Sequence, residues 1–537
     1  MSVPYKNLVL TSATGVLILA ISSCGSKETS EHKDEAPCVT SSPSPDGGYT
    51  YCTGTAVEAS FNLVGGGGQE YVVAPFVLGD HTEVKGAAGV NYDFELTATS
   101  ASLAKMKSLR PTSGLTGMAF ESSESLMLDR KNQAKVFLNR FDPTNASSSA
   151  LSGFNGPFRQ MLGFENLNAA KTLIDNTSCP TTTPSVTGST LTIASSKLGN
   201  GFCVAYADDP TADTKANIEG AVQSVLSSYK DTIYKDPMTS NTKDGYAFNP
   251  LIVFVNSLVV GGVTIDGAFA LGLTTSQKRP VLHVSAGITK ELLYATIAHE
   301  MQHAIVDYYK RRGANLIEET ISVDEGIAHL MEDAFGYGEA NYNSYVKNFL
   351  AGFVDGSPVL VDSDAANAAA ARGGANSFVY YLAHRAGGFT VTNGKPFSGL
   401  GMDAIVSLVK QTNKNGPAAL TAAFGKDNLV HRFGDFVGTV YSDNRSFSFA
   451  PEAFASRSYD GITNLLGETG KTFGLRFSNF RGGPTIAANG LGDATGGFSI
   501  RPFETFPVLV KPTGLTSQVT LKLPQQPNVG ISVVRVK

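Results

Sequence analysis

The chain has 537 residues, 17% of them charged and 42% apolar, with 56 glycines, five cysteines and no tryptophan. At about 150 residues per domain this length implies roughly three domains, and the apolar share excludes a wholly disordered protein. The net charge of −5, from 42 basic and 47 acidic residues, leaves no strongly basic domain, which argues against a nucleic-acid partner.

In chain order, Lys6 precedes an apolar stretch at 8–21. That stretch is shorter than the ~20 residues a membrane-spanning helix needs and reads as the core of an export signal. It ends in Ile21-Ser22-Ser23-Cys24, which resembles the bacterial lipoprotein signal. The resemblance implies removal of residues 1–23, lipidation of Cys24 and a membrane anchor in the cell envelope. Gly25 is not the aspartate that retains lipoproteins at the inner membrane in some bacteria, so the outer membrane is the expected location. Residues 24–54 carry Lys27, Glu28, Glu31, Lys33, Asp34 and Glu35, then Pro43, Pro45, Gly47 and Gly48, the composition of a solvated tether. Cys38, Cys52, Cys179 and Cys203 can pair in three ways. Local pairing, Cys38–Cys52 and Cys179–Cys203, closes two short loops and is the expectation. Disulfides suit a compartment outside the cytosol, and the absence of any C-x-x-C pair argues against a zinc ribbon.

Residues 55–205 read as short strands, at 71–76, 92–96 and 191–193, bounded by Gly, Asn or Ser, which suggests a β-sandwich-like region. The glycines at 65–68 lack a following Lys-Ser/Thr and read as a turn rather than a phosphate loop. From 206 to 450 the pattern turns helical. Ile218, Val222, Val225 and Tyr229 predict a helix over 214–232. Strands are expected at 251–258 and 281–284. A long helix is expected over 288–312, capped by Thr289 and ended by Gly313. Further helices are expected at 322–335, 375–386, 401–412, 417–424 and 428–441. Over 451–537 alternation returns, in Val519, Leu521 and Leu523 and in Val529, Ile531 and Val533. The fold class is therefore α+β and multidomain, with a helical domain at 206–450 between an N-terminal β region and a smaller C-terminal β domain.

The long helix contains His299-Glu300-Met301-Gln302-His303, an H-E-x-x-H motif. Residues four apart share a helix face, so both imidazoles can reach one metal ion. Glu300, about 100° round the helix, can meet a water on that metal as general base. A third protein ligand is needed. The metzincin continuation is absent, because Val306 and Tyr309 stand where it requires Gly and His. Downstream, Asp324-Glu325-Gly326-Ile327-Ala328 opens a second amphipathic helix through Ile327, Leu330, Met331 and Ala334. Glu325 is the favoured third ligand, with Glu318, Glu319 and Asp324 as competitors. His329, one turn on, reads as structural or solvated.

These segments, with Gly374-Ala375-Asn376-Ser377-Phe378-Val379-Tyr380-Tyr381-Leu382-Ala383, resemble the hyicolysin-type neutral metallopeptidases, which are gluzincins. The resemblance covers roughly 290–390. It implies a zincin-like catalytic domain, endopeptidase activity, one Zn²⁺ per chain, His299, His303 and Glu325 as ligands, and Glu300 as general base. An oxyanion or proton donor is also required. Tyr380, Tyr381, His384 and His431 are candidates, with Tyr381 and His384 preferred because they share a helix face. A protein substrate would dock by strand addition on 281–285, expected as the sheet edge. A lipid-anchored zinc endopeptidase competes with a surface adhesin or binding lipoprotein whose zincin domain is inactive. It also competes with a zinc hydrolase acting on a non-peptide bond, since the metal does not choose the scissile bond.

Overall fold

A computed structural model of the chain describes residues 49–53, 58–64, 68–79, 91–99, 101–105, 179–185, 190–234, 248–260, 263–270, 274, 277–310, 317–335, 345–346, 349, 359–360, 368–388, 390–392, 395–397, 400–424, 429–442, 462–463, 472–473, 489–491, 496–512 and 515–535. All of them belong to one compact unit, Pro37–Lys537, of mixed α/β structure. The expected export signal, Cys24 and the Cys38–Cys52 pairing lie outside the described residues. Among the described residues no helix is long and apolar enough to cross a membrane.

Strands β1 (Tyr49–Thr53), β2 (Glu58–Val64), β3 (Tyr71–Val77), β4 (Tyr92–Thr99) and β5 (Ala101–Lys105) come first. Next are β6 (Ser195–Gly199), β7 (Phe202–Tyr206), helix α1 (Ala212–Ser228), β8 (Leu251–Val255), β9 (Gly267–Phe269) and β10 (Val281–Ser285). Helices α2 (Lys290–Lys310), α3 (Ile321–Ala334), α4 (Ala368–Arg385), α5 (Leu400–Lys410), α6 (Gly416–Phe424) and α7 (Leu429–Ser442) follow. Last come β11 (Asn489–Leu491), β12 (Gly496–Ile500), β13 (Val508–Pro512), β14 (Thr516–Lys522) and β15 (Val529–Arg535).

The two terminal β segments do not form separate units. They interleave in one sheet of order β1-β15-β3-β13-β5-β11 and another of order β2-β14-β4-β12. Phe61, Phe94, Val519 and Leu521 of the smaller sheet share a core with Tyr71, Val73, Ile531 and Val533 of the larger. The larger sheet turns its other face, through Val72, Ala74 and Phe76, to the helical core. Phe76 meets Phe433 of α7 edge-on at 5.4 Å, and Ser532 Oγ donates to Gly434 O at 2.7 Å. Successive side chains on a strand alternate faces, so β3, covered on both, is apolar and buried throughout.

A third sheet, β9-β10-β8-β7-β6, lies among the helices. Strands β7, β8 and β10 are parallel and fully buried, whereas β6 and β9 run antiparallel at the edges. Their sequences FCVAY, LIVFV and VLHVS are the near-continuous apolar runs that parallel strands covered on both faces require. The expected domain boundary at 205/206 falls inside β7, and β10, expected as the edge, is second from it. The true edge, β9, is only the three residues Gly267–Phe269, too short to show alternation. The expected Cys179–Cys203 disulfide is present, tying residue 179 to β7.

Local signals set the helix starts. Thr211 Oγ1 accepts from Thr214 N at 3.3 Å at the head of α1, and Thr289 Oγ1 accepts from Leu292 N at 3.3 Å at the head of α2, as N-caps do. Helix α4 begins earlier than expected, because Ala368–Ala371 favour helix but supply no large apolar residues to mark a face.

Candidate metal centre

Three elements build the site. Helix α2 turns His299 and His303 toward α3, whose Glu325, His329 and Glu332 recur on one stripe at helical spacing. Helix α4 approaches α3 at backbone distance: a Cβ on Gly326 would stand 2.9 Å from Ala375 O. This close approach brings Arg372 to the site.

His299 Nε2 lies 3.0 Å from His303 Nε2 and 3.3 Å from Glu325 Oε2, and His303 Nε2 lies 3.6 Å from Glu325 Oε1. All three residues are 3% exposed or less. The outer nitrogens face carboxylates: His299 Nδ1 is 2.5 Å from Glu332 Oε1, and His303 Nδ1 is 3.1 Å from Asp324 Oδ1. Such partners assign the ring proton to Nδ1 and leave a lone pair on Nε2. Two imidazole nitrogens and a carboxylate thus converge in a buried space. Lone pairs facing one another there would repel strongly at low dielectric. A shared proton or a bound cation relieves that repulsion. Tetrahedral zinc, with bonds of about 2.0–2.1 Å, requires donor–donor edges of about 3.3 Å, the middle of the observed set. His299, His303 and Glu325 form a group that could hold a metal ion.

Burial raises the pKa of Glu325, but Arg372, then His303 and His299, outweigh it and hold the carboxyl well below the ordinary range. Arg372 Nη1 is 3.2 Å from Glu325 Oε2, and its guanidinium lies over the Tyr345 ring at 5.9 Å. Burial opposes charge on His303, but Asp324 and Glu325 prevail and raise its pKa.

Glu332 Oε1 also lies 3.0 Å from His329 Nδ1. Burial lowers His329 to about 4 against the pull of Glu332, so His329 is a neutral donor near pH 7. His299, His329 and Glu332 form a second group of potential ligands, but their short contacts to one shared oxygen are those of two N–H groups bridged by a carboxylate. Glu332→Gln should weaken metal binding about 10–100-fold. Chelator competition reads this, and an unchanged affinity would show that the bridge does not orient His299.

Glu300 is fully buried. Its Oε2 accepts from Phe269 N at 2.7 Å, on the edge strand β9. Gly267 of the same strand allows this approach: a Cβ there would stand 2.4 Å from Thr296 Cγ2 and 3.3 Å from Glu300 Oε1.

The competitors for third ligand have other partners. Glu319 pairs with buried Lys310 and accepts from Gly416 N at 2.6 Å, Asp324 faces His303 Nδ1 rather than Nε2, and Glu318 is exposed outside the buried group. The expected donor Tyr381 is not at the centre. It follows Arg372 by about two and a half turns of α4 and so points oppositely. Its ring packs on Phe378 and Phe436. Burial first, then Asp435, raises the pKa of its hydroxyl, with Arg385 and Arg432 opposing. His384 belongs to α4, but its side chain lies outside the described ones. His431 is partly exposed on α7, 3.6 Å from Asp435 Oδ1. Tyr380 is also buried on α4. Sequence reasoning missed Glu332, Arg372 and the Phe269 N–H. Glu332 had a signal, lying two turns beyond Glu325 on one stripe, whereas Arg372 and Phe269 arrive through tertiary packing alone. No protein-family model and no curated protein sequence matches this chain.

Proposed function

We propose that the chain is a zinc-dependent endopeptidase of the gluzincin type, with a zincin-like catalytic core, anchored through lipidated Cys24 on the outer membrane and acting on proteins outside the cytoplasm. The observation that carries this reading is the convergence of His299 Nε2, His303 Nε2 and the Glu325 carboxylate in one buried group that could hold a metal ion, beside Glu300, which is not among them. Zinc, when bound, supplies a Lewis acid that polarises a carbonyl and acidifies water. The chain's own residues do the rest. Glu325, His299 and His303 would hold the ion. Glu332 and Asp324 fix the two imidazoles. The Phe269 N–H anchors Glu300 Oε2 and orients Oε1 to take a proton from the attacking water and return it to the leaving amine. An extended peptide pairing with the outer edge of β9 would pass beside that carboxylate. The Cys179–Cys203 disulfide supports a location outside the cytosol.

Metal analysis of the full chain beside a casein cleavage assay tests the reading. About one zinc per chain and cleavage abolished by chelation are expected. A folded preparation that binds no zinc would sink it, and a zinc-loaded chain inert on peptides would favour the binding-lipoprotein alternative. Gly267→Ala should retain zinc yet lower turnover about ten-fold or more, because the new methyl pushes on Thr296 and Glu300 and small displacements at a reacting group are costly. Turnover equal to wild type would show that β9 does not set the position of Glu300.

A further inference from the structure

Helix α1 runs on into a π-helical turn, Tyr229–Ile233, closed by Tyr234 N donating to Tyr229 O at 2.7 Å. Such wide turns are rare and concentrate at functional sites. This one brings Tyr229 and Tyr234, five residues apart, onto one side with their rings stacked at 6.1 Å. Both side chains are fully buried, and both hydroxyls reach α2. Tyr229 Oη donates to Ala298 O at 2.8 Å, and Tyr234 Oη accepts from Gln302 Nε2 at 3.4 Å. Ala298 and Gln302 are the residues immediately before His299 and His303. The Tyr229 ring also touches Phe335, just past the end of α3, at 5.2 Å.

We propose that Tyr229 and Tyr234 are positioning residues: the π-turn grips the stripe of α2 adjoining the ligand stripe and thereby sets the rotation of both histidines toward Glu325. The inference rests on the metal-centre reading above. A helix side chain ends about 6 Å from its axis, so a 10° rotation of α2 moves each imidazole by about 1 Å. An α-helical register at 229–234 would place the second tyrosine about 140° round the helix from the first, and one of the two contacts would be lost. Two buried tyrosines that only filled space would need no such register and no hydroxyl on these two residues.

The test loads the full chain, purified in detergent, with Co²⁺ and compares wild type with Tyr229→Phe, Tyr234→Phe and the double variant. The double variant is expected to bind Co²⁺ about ten-fold more weakly, with a changed visible absorption envelope, and each single variant to lie between. A purely structural role would lower the unfolding midpoint of the metal-free chain and leave the Co²⁺ spectrum and affinity as in wild type, and that result overturns the inference. If the double variant does not fold, the single variants decide by the same two readings. A wild type that takes up no Co²⁺ overturns the metal centre itself, a result distinct from unaltered variants on a working site.

Discussion

Glu300→Gln should keep about one zinc per chain and lose about 10²- to 10⁴-fold in kcat/KM, the usual contribution of a positioned general base. The argument is atomic. Phe269 N donates to Glu300 Oε2 at 2.7 Å, and a glutamine carbonyl accepts the same bond. The amide NH₂ then takes the place of Oε1, where it can donate a proton but not accept one. Shape and volume are kept, so Gly267 and Thr296 are undisturbed. His299, His303 and Glu325 contact one another directly, so zinc should stay. Metal analysis beside peptide cleavage separates the outcomes. Loss of zinc with activity would make Glu300 part of the metal's support, and full activity in the variant would remove it from the chemistry.

The parts of this site that were legible in the sequence are those fixed by helix geometry over a few residues. His299, Glu300 and His303 needed only a helix. Glu325 needed a second helix facing the first, and its carboxylate lies among the buried groups able to hold the ion. Tyr381 shows where this reasoning stops. Periodicity says that Tyr381 and His384 share a face but not where that face looks. The face of α4 turned to α3 carries Arg372, Ala375 and Val379, the last two packed at Gly326. The β segments failed for a related reason. Each strand's alternation was visible, yet the pairing of β3 with β15 joins residues 71–77 to 529–535, and nothing local encodes a partner so distant. Strand β9 was missed because it is short, although its Phe269 N–H holds the Glu300 carboxylate.

Lys310→Met should destabilise the chain by about 3–5 kcal/mol, the cost of leaving one member of a buried ion pair alone. Lys310 and Glu319 are both buried, pair directly, and share a web of backbone bonds. Lys310 Nζ donates to Lys414 O at 3.0 Å, and Glu319 Oε1 accepts from Thr320 N at 2.9 Å and Gly416 N at 2.6 Å. The carboxylate therefore serves the heads of α3 and α6 as well as the lysine, where it also meets the positive ends of two helix dipoles. Without Lys310 it remains buried with those bonds but no countercharge. Adding Glu319→Gln to Lys310→Met should recover part of the loss, since the uncompensated charge goes and the amide oxygen can keep an N–H. Urea unfolding of the two single variants and the double variant measures the coupling. A loss below about 1 kcal/mol for Lys310→Met, the range of an exposed pair, would refute it. The consequence reaches the metal. Lys310 lies about two turns beyond His303 on α2, and Glu319 stands just before the start of α3, which carries Glu325. The pair thus clamps the two ligand-bearing helices where the chain passes between them. Lys310→Met should accordingly weaken metal affinity even in the fraction that stays folded, and chelator competition at a temperature well below the unfolding midpoint separates that effect from lost fold.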